Sequence, residues 1–119
     1  MLHADNIIQE VTRRFPAFII SEEIDALPTV VCAFLSQSLL RGITERDIEV
    51  KHPFRELINE MSMSSDRVVS SCLSEIVAVL YDNLEKARFE EFLDTLSFPA
   101  QAQFRRDVDL WNARPPAAG

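Results

Sequence analysis

The chain has 119 residues, 47% of them apolar, and a formal net charge of −7. That length suits one domain, and the apolar share is too high for a disordered chain. The negative charge disfavours general binding to phosphate backbones or to an anionic membrane surface.

Asp5 is placed to cap a first helix carrying Ile7, Ile8, Val11 and Phe15 on one face. Pro16 should end it, because the residue before a proline avoids helical backbone angles. Between Ala17 and Ala26 the pattern is ambiguous. Phe18, Ile19 and Ile20 fit a short extended or helical piece, and Ser21-Glu22-Glu23 looks like a helix start. Leu27-Pro28 opens the next helix, with Val31, Phe34, Leu35 and Leu39 as its apolar face and Gly42 as its stop. Thr44 and Asp47 form an approximate capping box. Ile43, Val50, Phe54, Leu57, Ile58 and Met61 then share a face across Pro53. Residues Glu45 to Met61 fit either one helix kinked at Pro53 or two helices, with a break near His52 favoured.

The stretch Ser64 to Leu84 carries the strongest signal. Ser64 or Ser65 is expected to cap a helix of about 65–83. Its apolar face comprises Val69, Cys72, Leu73, Ile76, Val77 and Leu80, widened by Val68 and Val79. So broad a face needs packing on several sides, which puts this helix at the centre. Leu84 to Leu96 follows, with Phe89, Phe92, Leu93 and Leu96 inward and Glu90, Glu91 and Asp94 outward. Ser97-Phe98-Pro99 is a break. Ala100 to Asn112 forms the last helix, with Phe104, Val108 and Trp111 on one stripe. Only two glycines occur, Gly42 and Gly119, whereas sheets joined by tight turns need more. The expectation is an all-α fold: a single compact bundle of about five to six helices in residues 1–113, with a mobile tail at 114–119.

No motif for catalysis or for a cofactor or metal stands out. Cys32 and Cys72 lie within apolar helical patterns and read as reduced, buried thiols. A disulfide between them requires close Cβ atoms. His3 and His52 lack a second histidine in a metal-site pattern. The serines of 61–74 sit in neither a GxSxG elbow nor an SxxK signature, and no glycine-rich phosphate loop occurs. Glu75 lies between Leu73 and Ile76. Buried, it would be a perturbed acid and a catalytic candidate. On the narrow polar side with Ser71, Ser74 and Ala78, it would simply meet water. The N-terminus MLHADNIIQE lacks the basic and apolar regions of a signal peptide. No run of about 18 uncharged apolar residues is long enough for a membrane span. A cytoplasmic location follows as the expectation.

Three acidic clusters remain: Glu22, Glu23 and Asp25; Asp82 and Glu85; and Glu90, Glu91 and Asp94. Their plain role is a solvated surface that keeps the protein in solution. Their functional role would be to meet a Lys/Arg-rich protein and speed the encounter.

The second half adds a resemblance. VAVLYDNLEK (Val77 to Lys86), an amphipathic helix and LSFPAQAQFRRDVDLWN (Leu96 to Asn112) follow one another. With Leu27-Pro28, Pro99 and Trp111, this order resembles a group of small bacterial all-helical proteins of unassigned function. Some of these are similar to immunity proteins found with polymorphic toxins. Related sequences carry a glutamate near the end of the central helix, where Tyr81-Asp82 stands here. The resemblance implies a cytoplasmic protein that binds another protein, and it transfers no active-site residue. The expected function is a non-catalytic acidic module, most concretely an immunity-type inhibitor occluding a basic toxin domain. The alternative is a structural or regulatory module acting as a homodimer. An enzyme built around Glu75 or the acidic flanks is the third reading.

Overall fold

Apolar residues at helical spacing generate six helices in this computed structural model, which describes residues 2–18 and 27–113. They are α1 (Ile7–Arg14), α2 (Pro28–Thr44), α3 (Ile48–Ser62), α4 (Arg67–Asn83), α5 (Lys86–Asp94) and α6 (Phe98–Ala113). The fold is all-α, with no strand among the described residues. Residues 19–26, where the sequence pattern is ambiguous, and the expected tail at 114–119 lie outside the described residues.

α4 is the hub. It packs most extensively on α2 and also touches α3, α5 and α6. Its face is fully buried at Val69, Cys72, Leu73, Ile76, Val77 and Leu80, as the spacing predicts, while Val68 reaches the surface. One contiguous core cluster draws residues from all six helices. Ile7, Val11 and Phe15 of the N-terminal region join Phe54, Leu57, Ile58 and Met61 of α3 within it. Phe34, expected on the inner face of α2, is instead exposed, and Cys32, Ser36 and Ile43 are buried with Val31 and Leu35. Ser36 is tolerated there because its hydroxyl donates to the Cys32 carbonyl at 2.8 Å. The thiols of Cys32 and Cys72 meet in the core, both free. Their mutual hydrogen bond, then burial, push the Cys32 thiol up, so it stays protonated.

Several helix ends differ from expectation. Asn6, not Asp5, is the cap residue of α1. Asp66, not Ser64 or Ser65, caps α4: one carboxylate oxygen accepts from the Val68 amide at 2.8 Å. The other accepts from the Ala4 amide at 2.9 Å, so the same side chain also holds the N-terminal segment. Both bonds favour the ionised form and lower the Asp66 pKa. Ser64 donates to the Leu2 carbonyl at 2.7 Å. Asp47 caps α3, accepting from the Glu49 amide at 3.0 Å.

α3 is one continuous helix through Pro53, so no break occurs near His52. Pro53 forgoes one backbone bond early in the helix, and burial of Phe54, Leu57 and Ile58 just after it keeps the chain helical. Nor does Gly42 end α2. The stop is Arg46, with φ of 58° in the left-handed region. Its amide donates to the Ile43 carbonyl at 3.2 Å, and the Asp47 amide donates to the Gly42 carbonyl at 2.8 Å. This is the Schellman pattern with arginine where glycine usually stands. Gly42 instead lets α3 approach, since a Cβ there would lie 2.8 Å from Val50 Cγ1 and 2.9 Å from Val50 Cβ. Alanine in a helix interior normally gains up to about 1 kcal/mol over glycine. The overlap with Val50 should cost about 1–3 kcal/mol and reverse that sign. Gly42→Ala is therefore expected to lower the denaturant midpoint. In a Val50→Ala background the loss should shrink but not vanish, because the Cβ overlap remains.

Candidate functional site

The acidic residues do not form one face. Asp82 lies in the last turn of α4 and is exposed, and Glu85 precedes α5 as its exposed cap residue. Glu90 and Glu91 are half-buried rather than directed outward; Asp94, the last residue of α5, is exposed. Burial of Phe89, Phe92 and Leu93 rolls α5 so that Glu90 and Glu91 flank its packed side. Glu22, Glu23 and Asp25 lie outside the described residues.

Asp82 and Glu90 converge on one cleft of about 600 Å3 between the end of α4, α5 and α6. Tyr81, Lys86 and Phe89 line it with them, and Val108 and Asn112 form the α6 wall. Tyr81 is held by two rings: its centroid lies 5.5 Å from Phe89, edge-on, and 5.8 Å from Trp111. A smaller hollow of about 200 Å3 continues from it along Glu90 and Val108, adding Arg105 and Asp109. Three carboxylates (Asp82, Glu90, Asp109) against two cations (Lys86, Arg105) leave the combined cleft one net negative charge. α4 also has no basic residue in its last turn. Its C-terminal carbonyls therefore add negative potential beside Asp82, an arrangement unfavourable to the helix and favourable to an incoming cation. An arginine or lysine entering here would meet the carboxylates of Asp82 and Glu90 beside Tyr81.

Glu91 is engaged within the chain. Arg46 grips it with two bonds, Nε to Oε1 at 2.7 Å and a terminal nitrogen to Oε2 at 3.1 Å, and Arg88 adds a third at 3.1 Å. The bond from Arg46, reinforced by Arg88, holds the Glu91 carboxyl down at about 2. This bridge ties the α2–α3 turn to α5. On α1, Glu10 is likewise held at about 2 by Arg13 and Arg14. Both folded-state values lie below the ordinary 4.5. Their stabilising contribution is therefore complete above pH 4.5 and is lost as pH falls towards about 2. Acid titrations of stability should show a downward slope in that window that is shallower in Glu91→Gln. High salt should flatten the Glu91 contribution more than that of Glu10, since the Arg46–Glu91 pair is solvent-accessible whereas Arg14 and Glu10 are mostly shielded.

Three further features were not singled out in the sequence reading. Asp107 of α6 is buried and accepts from the Ser74 hydroxyl at 2.9 Å, and Gln103 reaches the Ser70 carbonyl at 3.3 Å. They join α4 to α6. The third, Arg14, is a charged side chain held largely out of solvent on α1. Its i+4 spacing from Glu10 is the signal that could have located it. Glu75 is exposed, so its environment is that of a surface carboxylate. His52 meets the Glu56 carboxylate at 3.1 Å on the exposed side of α3. Among the described residues, no three His, Cys, Asp or Glu side chains cluster in a way that could hold a metal ion. No helix among them is long and apolar enough to cross a membrane. No protein-family model, no curated protein and no solved structure matches the chain.

Proposed function

We propose that the chain is a non-catalytic, cytoplasmic protein-binding module, an immunity-type inhibitor of bacterial origin that covers a basic surface of a toxin domain. The observation that carries this reading is the convergence of Asp82 and Glu90 beside Tyr81 in one net-negative cleft. The partner inserts a lysine or arginine there. Glu85 and Asp94 contribute to long-range attraction outside the cleft, and Glu91 contributes mainly by shaping α5. Such complementarity acts chiefly on the association rate and on specificity.

The test is binding to the C-terminal domain of a toxin encoded beside this chain, measured with wild-type protein and with Asp82→Lys/Glu90→Lys. The double variant should bind about tenfold more weakly or worse, with most of the loss in association rate and a flatter salt dependence. Unchanged affinity in a folded double variant would remove the acidic-cleft mechanism.

A second reading rests on exposed apolar side chains. Phe98, at the first position of α6, is 86% exposed and Met63 is 63% exposed. These could bury each other in a homodimer. Sedimentation showing a strict monomer at all concentrations would dispose of it.

A further inference from the structure

A hollow of about 550 Å3 opens where α1, the end of α3 and the start of α6 meet. Leu2, Met63 and Pro99 supply its apolar wall. Beside it stands Phe98, at 86% the most exposed large apolar side chain among the described residues. Ser97 and Pro99, on either side of Phe98 in sequence, both line the hollow, whereas Phe98 itself does not. The backbone that carries the ring is held firmly. The Ser97 amide donates to Asn59 Oδ1 at 2.9 Å, and the Ser97 carbonyl accepts from the Gln101 amide at 2.9 Å. Pro99 fixes its own backbone angle as well. A side chain on so rigid a base loses little freedom when it is bound.

The charges at the hollow cancel. Arg13 and Arg14 both donate to Glu10, and Arg14 also contacts Glu60, so two guanidinium groups match two carboxylates. The chain as a whole carries −7. Two copies can therefore meet here with less repulsion than their net charge would impose elsewhere. Single exposed apolar side chains are ordinary. A protruding ring beside an apolar hollow, on one neutral face, is instead self-complementary: a two-fold axis between two copies sets each ring over the other's hollow.

We propose that this face binds a second copy of the chain, with Phe98 of each copy seated in the other's hollow against Leu2, Met63 and Pro99. This pairing rests on the homodimer reading and specifies its contact; the acidic cleft takes no part in it. Two rings make a small contact, so the dimer forms only at high protein concentration.

The experiment is sedimentation equilibrium of the full chain and of two variants. Phe98→Ser removes the ring, and Met63→Lys places a charge in the hollow's wall. Both positions are exposed, so both variants should keep the wild-type thermal midpoint. The wild type should dimerise, and more tightly as salt rises, because screening weakens repulsion between two chains of −7. Each variant alone should associate about tenfold more weakly or worse. Met63→Lys lowers the negative charge, so its loss would not come from added repulsion. An equimolar mixture of the two variants should associate more strongly than either alone, since each mixed pair keeps one intact ring and one intact hollow that fit each other. No recovery in the mixture, or wild-type association in folded Phe98→Ser, overturns the ring-in-hollow pairing and leaves a homodimer of other geometry. Association that weakens with salt does the same. A strict monomer at every concentration overturns both the pairing and the homodimer reading.

Discussion

Phe54→Ala should lower stability by about 3–5 kcal/mol. The ring is fully buried in α3. It stacks on Phe92 of α5, with centroids 5.9 Å apart, and meets Phe15 after α1 edge-on at 6.3 Å. One side chain therefore joins three helices that are otherwise far apart in sequence. Its removal loses the buried area, opens a cavity and breaks two ring contacts of about 0.5–1.5 kcal/mol each. Domains of this kind are stable by only about 5–15 kcal/mol, so the variant should be partly unfolded at moderate temperature. The check is a denaturant titration in which the midpoint falls and the slope is preserved. A loss under about 1 kcal/mol would mean that the aromatic cluster does not hold these helices together.

Leu73→Ala or Ile76→Ala should cost about 2–5 kcal/mol. Both side chains are fully buried on α4, the helix that touches α2, α3, α5 and α6. A hole there has neighbours on several sides, and those neighbours cannot all relax into it, so the upper part of the range is expected. Glu75→Gln, between these two positions but exposed, should stay within about 0.5 kcal/mol. The contrast tests the burial pattern itself. If Glu75→Gln were as damaging as Leu73→Ala, the face assigned to the core would be wrong.

The inner face of α4 was legible because six apolar residues repeat at the helical period and no polar residue interrupts them. The cap of the same helix was not legible. Ser64, Ser65 and Asp66 are all good caps in isolation, and the choice falls to Asp66, whose second oxygen takes the Ala4 amide. That amide is 62 residues away in sequence. Glu91 shows the same limit: its partner Arg46 is 45 residues away, and the pair forms only once α5 lies beside the α2–α3 turn. The candidate cleft was half legible. Asp82 and Glu90 were identifiable as acidic, but not that they meet beside Tyr81, nor that Asp109 of α6 joins them.

By itself the sequence determined the helical class, the central place of α4 and the residues of its inner face, because these follow from local periodicity and from the scarcity of glycine. It also determined the excess of negative charge. Only the tertiary structure decided that α3 runs through Pro53, since burial of the residues beyond the proline outweighs one missing backbone bond. It alone decided that Gly42 serves close packing against Val50 and that Arg46 makes the turn. It likewise separated the carboxylates held by arginines from those lining an open cleft. These outcomes depend on which helices become neighbours, and that depends on all the packed faces at once.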